Sequence, residues 1–134
     1  MIDKESEIYT SVRNAVKALY PDLAMSSTYK QEPERFPFAY LEETESAAYR
    51  RTQDSGSLER HALVNYSCEV FSNKLNGKKS EAKEIASAID AEMQRLGFTR
   101  TIREPFPNES DASIYRIVMR WRGVIGADNH VYTA

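Results

Sequence analysis

The stretch NGKKSEAKEIASAIDAEMQRLGF, residues 76–98, decides the fold because it predicts one amphipathic helix between two strand-like runs. Its apolar residues recur at helical spacing and fall on one face: Ala82, Ile85, Ala86, Ile89, Met93 and Leu96. The opposite face, expected to meet solvent, carries Lys83, Glu84, Asp90 and Gln94. Such a helix is stable only when its apolar face covers a sheet or another helix.

The two ends of this helix carry recognisable signals. Ser80 is expected to cap the first turn by accepting a hydrogen bond from a free backbone N–H. Gly97 is expected to end the helix in a left-handed conformation, which places Phe98 for packing back onto Met93.

The rest of the chain predicts strands around this helix. A first helix is expected over residues 3–19, ended by Tyr20-Pro21 because the residue before proline avoids the α region. Strands are expected over residues 23–29, 38–45, 58–72, 99–104 and 113–125, with a proline-rich turn over 105–111. The short links between strands favour an α+β fold, with a mainly antiparallel sheet and two helices packed on one face. We expect one domain over residues 1–134, with a mobile C-terminal tail over 126–134.

Composition limits the function classes. The chain has 134 residues, is 41% hydrophobic and carries a net charge of -2, so it suits a folded domain without a strong field for nucleic acid. Cys68 is the only cysteine, which excludes an intrachain disulfide and indicates a reducing compartment. Neither a signal peptide nor a membrane-spanning run is apparent, so we expect a cytoplasmic site of synthesis and no membrane partner.

No pattern in the sequence predicts catalysis, a metal or a cofactor. His61 and His130 are the only histidines and lack ligands at zinc spacing. A set of Ser110, Asp111 and His61 has no nucleophile motif around it. Alternation along a strand splits Glu42, Glu43 and Glu45 between two faces, and Cys68 lies on an apolar face where a thiol is inert. We therefore expect a protein that is not an enzyme.

A row of arginines is the most prominent candidate site. Alternation over residues 113–125 points Tyr115, Ile117, Met119 and Trp121 inward, which leaves Arg116, Arg120 and Arg122 together on the other face. Arg100 and Arg103 are expected beside them on the paired strand. Three interpretations stay open: cross-strand pairing of Arg120 with Glu69 or a similar residue, a salt-bridge surface between subunits, and contact with nucleic acid.

A second candidate contact region is the segment 49–60. The sequence QDSGS, residues 53–57, predicts a turn, and its polar flanks predict a hairpin that projects from the body and is poorly ordered over 51–58 in an isolated subunit. Arg50, Arg51 and Asp54 are its candidate contact residues.

Residues 66–125 carry a resemblance to a known family. The strand YSCEVFSNK, the helix quoted above and the two-strand close TRTIREPFPNESDASIYRIVMRWRGVI resemble the tail terminator, or tail-completion, proteins of long-tailed bacteriophages (siphophages) and related prophages. The first helix and the run 38–45 fit the same layout, which is similar to that of tail tube proteins.

The resemblance implies a structural virion protein without an active site or cofactor. It implies a homo-oligomeric ring, a hexamer in this family, that caps the tail tube, ends its elongation and forms the surface for head joining. The implied partners are the tail tube protein, the head–tail connector protein and DNA passing through the ring lumen. The implied location is the tail neck of the virion, reached from the host cytoplasm. A connector or other neck protein of the same virion and a nucleic-acid-binding α+β domain are the alternatives.

Overall fold

Two helices and six strands make up the described part of the chain. The computed structural model describes residues 2–30, 32–48, 61–108 and 111–126, and the backbone of 131–132. The elements, in chain order, are α1 (Glu5–Leu19), β1 (Ala24–Ser26), β2 (Phe38–Ala48), β3 (His61–Ser72), α2 (Lys78–Arg95), β4 (Thr99–Phe106), β5 (Tyr115–Gly126) and β6 (Val131–Tyr132). The predicted α+β class is confirmed.

The strands form one mainly antiparallel sheet in the order β1-β2-β3-β5-β4, and β6 also pairs with β5. Only β1 and β2 run parallel among these pairs. Because β3 and β4 are both antiparallel to β5, they are parallel to each other and need a crossover connection. The helix α2 is that connection, which explains why a long amphipathic helix separates these two strands.

Both helices cover the same face of the sheet, as predicted. The main core joins Ile8, Val12 and Val16 of α1 to the apolar stripe of α2 and to alternate residues of the strands. Ile85 and Ile89 are fully buried in it. Tyr66, Cys68, Met119 and Trp121 supply much of the sheet side of this core. The helical and strand periodicities therefore predicted which side chains would meet.

One end of α2 was predicted correctly and the other was not. The N–H of Phe98 donates to the Met93 carbonyl (3.0 Å) and that of Gly97 to the Gln94 carbonyl (2.9 Å), which is the Schellman arrangement. The positive φ of Gly97, 104°, permits it. The expectation for Ser80 is wrong: α2 begins at Lys78 after Gly77, so Ser80 lies inside the first turn and makes no cap.

Asp90 corrects the predicted polar face of α2. It is 7% exposed and accepts hydrogen bonds from Trp121 Nε1 (2.9 Å) and Gln94 Nε2 (2.8 Å), and it pairs with the Arg100 guanidinium. A buried indole N–H needs an acceptor, and Asp90 lies at the edge of the apolar stripe where it can reach one. This carboxylate is a fully partnered part of the core boundary.

The C-terminal segment and the turn after β4 also differ from expectation. Gly126 is buried at the end of β5, and Val131–Tyr132 pair with Val124 and Ile125, so part of the predicted mobile tail is sheet. The other residues of that tail lie outside the described residues. The predicted turn over 105–111 begins later, because Pro105 and Phe106 belong to β4.

Candidate interaction surface

The face of the sheet turned away from the helices, which we call the open face, has two chemically different ends. Its side chains follow from the registers of β2, β3 and β5. They include Phe38, Tyr40 and Glu42 on β2, Asn65, Ser67, Glu69 and Phe71 on β3, and Arg116, Val118, Arg120 and Arg122 on β5. Phe38, Tyr40 and Phe71 form a second apolar cluster, against which Phe36 and Ile114 pack from the loops.

Glu69 lies at the border between the apolar end and the polar end. It is 3% exposed, accepts a hydrogen bond from the Tyr40 hydroxyl (2.5 Å) and pairs with Arg116 Nε. Burial, with the Glu69 carboxylate beside it, raises the pKa of Tyr40, so this hydroxyl keeps its proton and donates. The Arg116 guanidinium also lies 5.8 Å from the ring centres of both Phe71 and Phe106.

The predicted pairing of Arg120 with Glu69 is therefore wrong. Val118 lies directly opposite Glu69, so Arg116 and Arg120 are both two residues from the opposing position. Long side chains reach such diagonal neighbours. Of the two arginines, only Arg116 lies beside aromatic rings, and it forms the ion pair with the Glu69 carboxylate.

Arg120 and Arg122 remain exposed at the polar end. Within the described ranges, neither guanidinium forms an ion pair. Arg120 borders a shallow groove of about 430 Å³ lined by Thr44, Glu45, Asn65, Ser67, Thr101, Arg120 and Trp121. Glu45 in this groove accepts a hydrogen bond from Asn65 Nδ2 (3.1 Å). The arrangement presents two cations beside a groove that is lined by hydrogen-bonding groups and one carboxylate, Glu45.

Arg100 and Arg103 do not belong to this row. A register irregularity between Arg100 and Ile102 places Arg100 opposite Trp121 and Arg103 opposite Met119, both on the helix-covered side. Without this irregularity, alternation would have placed Arg100 and Arg103 on opposite faces of the sheet, because they are three positions apart. Arg100 then pairs with Asp90. Among the five arginines of β4 and β5, Arg100 and Arg116 form ion pairs with buried carboxylates.

A group of carboxylates at the unpaired edge of β2 was not identified from the sequence. Ser26, the last residue of β1, lies opposite Tyr40, so no strand of the described residues neighbours the edge of β2 beyond it. There the backbone N–H of Glu43 donates to Glu5 Oε2 of α1 (2.8 Å). Burial, and then the charges of Glu5 and Asp3, raises the pKa of the Glu43 carboxyl. The adjacent Glu42-Glu43 pair and the acidic start of the first helix were the available signals.

The other candidates give no reactive centre in the described residues. Cys68 is fully buried, and burial raises its pKa so that it stays a thiol. No group of three or more His, Cys, Asp or Glu side chains suited to a metal ion occurs in this part of the chain. Arg50, Arg51 and Asp54, with the predicted hairpin around them, lie outside the described residues, as does Ser110.

Comparisons with protein families and with curated proteins found no match. Neither of the two helices in the described residues is long and apolar enough to cross a bilayer.

Proposed function

We propose that this chain is a structural virion protein of the tail terminator type, which closes the phage tail tube as a homo-oligomeric ring and forms the surface for head joining. One observation carries the proposal on the structural side. Both helices cover one face of the sheet, while the other face exposes Arg120 and Arg122, which pair with none of the described carboxylates. The resemblance of residues 66–125 supplies the particular function.

The chemistry of this surface suits binding to a neighbour. A guanidinium stays charged at any working pH and presents five N–H donors in a rigid fork, so it is a poor proton shuttle and a good receptor for a carboxylate. Arg120 and Arg122 are two residues apart on one strand, so their side chains are presented in parallel. A closed ring joins one patch of each subunit to a different patch of the next. The same exposed arginines also serve contact with the tail tube or the connector.

The arrangement is less suited to nucleic acid. A basic stripe with interleaved aromatic rings supports binding to single strands. Here the aromatic rings of the open face lie beside Arg116, whose charge Glu69 already neutralises, whereas Glu45 lies near Arg120. Contact with DNA is therefore restricted to DNA in the ring lumen.

The proposal predicts the tails made by an Arg120→Ala, Arg122→Ala double variant. Electron microscopy of induced particles should show overlong or headless tails, because nothing stops the tube or joins it to the head. The matched control is Arg103→Ala, which removes an exposed arginine on the helix-covered side and should leave tails normal.

The phenotype separates the alternatives. Overlong tails identify a terminator, whereas tails of normal length without heads identify a connector or another neck protein. Normal infectious particles from the double variant contradict the role given to this surface. Salt-sensitive retention on a DNA column, lost in the double variant, would favour the nucleic-acid alternative.

A further inference from the structure

A cleft on the opposite flank of the sheet complements the exposed arginines in charge. The first turns of α1, the residues after β1 and the unpaired edge of β2 enclose about 310 Å³. The lining residues are Glu5, Ser6, Tyr9, Thr10, Ser27, Thr28, Glu42 and Glu43. We call this the acidic cleft. It exists because β1 is only three residues long and leaves the edge of β2 open.

The carboxylates of the acidic cleft form no ion pair in the described part of the chain. This holds for Glu5, Glu42 and Glu43, and Lys4, the residue before Glu5, lies 3.9 Å from Glu7 instead. The charge of Arg13 acts on Tyr9 in the cleft wall. The Glu5 carboxylate is held against the Glu43 backbone. The carboxylates of Glu5 and Glu43 repel each other, so a cation that enters the cleft would relieve this repulsion.

The Glu43 carboxyl has an aromatic donor beside it but no cation among the described residues. Tyr66 is 0% exposed and lies opposite Glu43 in the register, and its hydroxyl faces the Glu43 carboxyl. Asp90 and Glu69 each have such an aromatic donor and an arginine as well. Glu43 forms no ion pair within the described residues. The acidic cleft therefore lacks the cation that the other two carboxylates have.

The chemistry of the ligand follows from the acceptors. Several carboxylate oxygens need several donors on one cation, which a guanidinium supplies and a compact ammonium supplies less well. A bound metal is a poorer fit, since the described residues contain no group of three suitable ligands. On a different surface, the open face, the same chain carries Arg120 and Arg122, two exposed guanidiniums that form no ion pair within the described residues.

We propose that the acidic cleft of one copy receives Arg120 and Arg122 of the next copy in a head-to-tail contact. This deepens the proposed ring and rests on it. The two surfaces are different, one on the open face of β5 and one at the edge of β2, so their contact is heterologous. Heterologous contacts close into rings when the rotation between subunits permits it, whereas a two-fold dimer would use one surface twice.

The test mixes two complementary variants of the full chain. The face variant is Arg120→Ala with Arg122→Ala, and the cleft variant is Glu42→Gln with Glu43→Gln. Each alone should weaken self-association about tenfold or more, because a partner charge is lost from the contact. Mixed in equal amounts, they should form a one-to-one heterodimer and nothing larger, since the mixture contains only one intact junction per pair. Sedimentation velocity measures these sizes.

Controls separate the contact from folding and from the proposed function. Circular dichroism should show both variants folded, and Arg103→Ala with Glu84→Gln should associate like the wild-type chain. The inference is overturned if the wild-type chain stays monomeric, if either variant associates normally, or if the mixture gives no heterodimer. If the variants associate normally and deletion of the gene gives overlong tails, the proposed contact is wrong and the terminator function stands. If the variants fail to associate but the tails are normal, the contact stands and the terminator function is wrong.

Discussion

The two faces of the sheet are made by the same strands and do different work. Toward the helices, β3 presents Ala62, Val64, Tyr66, Cys68 and Val70, all of which join one continuous core. Away from them, it presents Asn65, Ser67, Glu69 and Phe71, of which only Phe71 belongs to an apolar cluster. The covered face holds the fold together, and the open face exposes Arg120 and Arg122, which pair with none of the described carboxylates. Alternation with period two lets one strand encode both tasks.

On each face, one buried carboxylate has the same two kinds of partner, an aromatic donor and an arginine. Asp90 binds an indole N–H and Arg100, and Glu69 binds a phenol hydroxyl and Arg116. In both places an aromatic donor and an arginine neutralise a charge that burial would otherwise make costly. Because these two arginines are engaged, Arg120 and Arg122 are the arginines of the open face that pair with no carboxylate among the described residues.

The largest effect is expected from the covered face. Ile89→Ala should lower the free energy of unfolding by about 2–5 kcal/mol, because Ile89 is fully buried and the lost methyl groups leave a cavity. Chemical denaturation monitored by circular dichroism measures this change. The control is Leu75→Ala, since Leu75 is 89% exposed and its loss should change stability by less than about 0.5 kcal/mol. An unfolding midpoint that Ile89→Ala leaves unchanged would mean that α2 does not anchor the sheet.

An intermediate effect is expected at the border of the open face. Arg116→Met keeps an apolar chain beside Phe71 and Phe106 but leaves Glu69 with the Tyr40 hydroxyl alone, which should cost about 1–3 kcal/mol. Arg122→Met on the same face of the same strand is the matched control, expected within about 0.5 kcal/mol. Equal unfolding free energies for the two variants would show that Glu69 does not need Arg116.

The sequence predicted most of the covered face because periodicity is local information. The apolar stripe of α2 and the alternation of β3 and β5 both require only the residue spacing, and the buried residues agree with them. The end of α2 was equally local, since Gly97 has the conformation that its position demands. These features do not depend on which strands become neighbours.

The errors arise where register decides the contact. Glu69 faces Val118, so Arg116 and Arg120 are equivalent in sequence terms, and the rings of Phe71 and Phe106 decide between them. The irregularity in β4 turns Arg100 toward Asp90 and removes it from the arginine row. The acidic cleft joins the first turns of α1 to the edge of β2, which are about 38 residues apart, judged by the Glu5–Glu43 hydrogen bond. Spacing within one segment carries no information about such long-range juxtapositions.

The smallest effect on stability, and the one of opposite sign, is expected at Glu43. Unlike Asp90 and Glu69, this carboxylate forms no ion pair within the described residues, and burial together with Glu5 and Asp3 raises its pKa above the ordinary value of 4.5. A raised pKa means that the charged form is less stable in the folded state than in the unfolded state. The penalty is absent below pH 4.5, grows as the pH rises through the folded-state pKa, and is complete above it. Glu43→Gln should therefore raise the melting temperature at neutral pH and leave it unchanged at low pH.

Melting temperatures of the wild-type chain and Glu43→Gln across the acid-to-neutral range measure this difference. The control Glu84→Gln, on the exposed side of α2, should give a flat difference over the same range. A Glu43→Gln variant that is less stable at neutral pH would show that the monomer already satisfies this charge. The gain in monomer stability should come with weaker self-association, because the glutamine removes charge from the acidic cleft. A core residue stabilises the free subunit, whereas a residue of a contact surface can destabilise the free subunit and stabilise the assembly. Glu43→Gln tests which of the two descriptions fits Glu43.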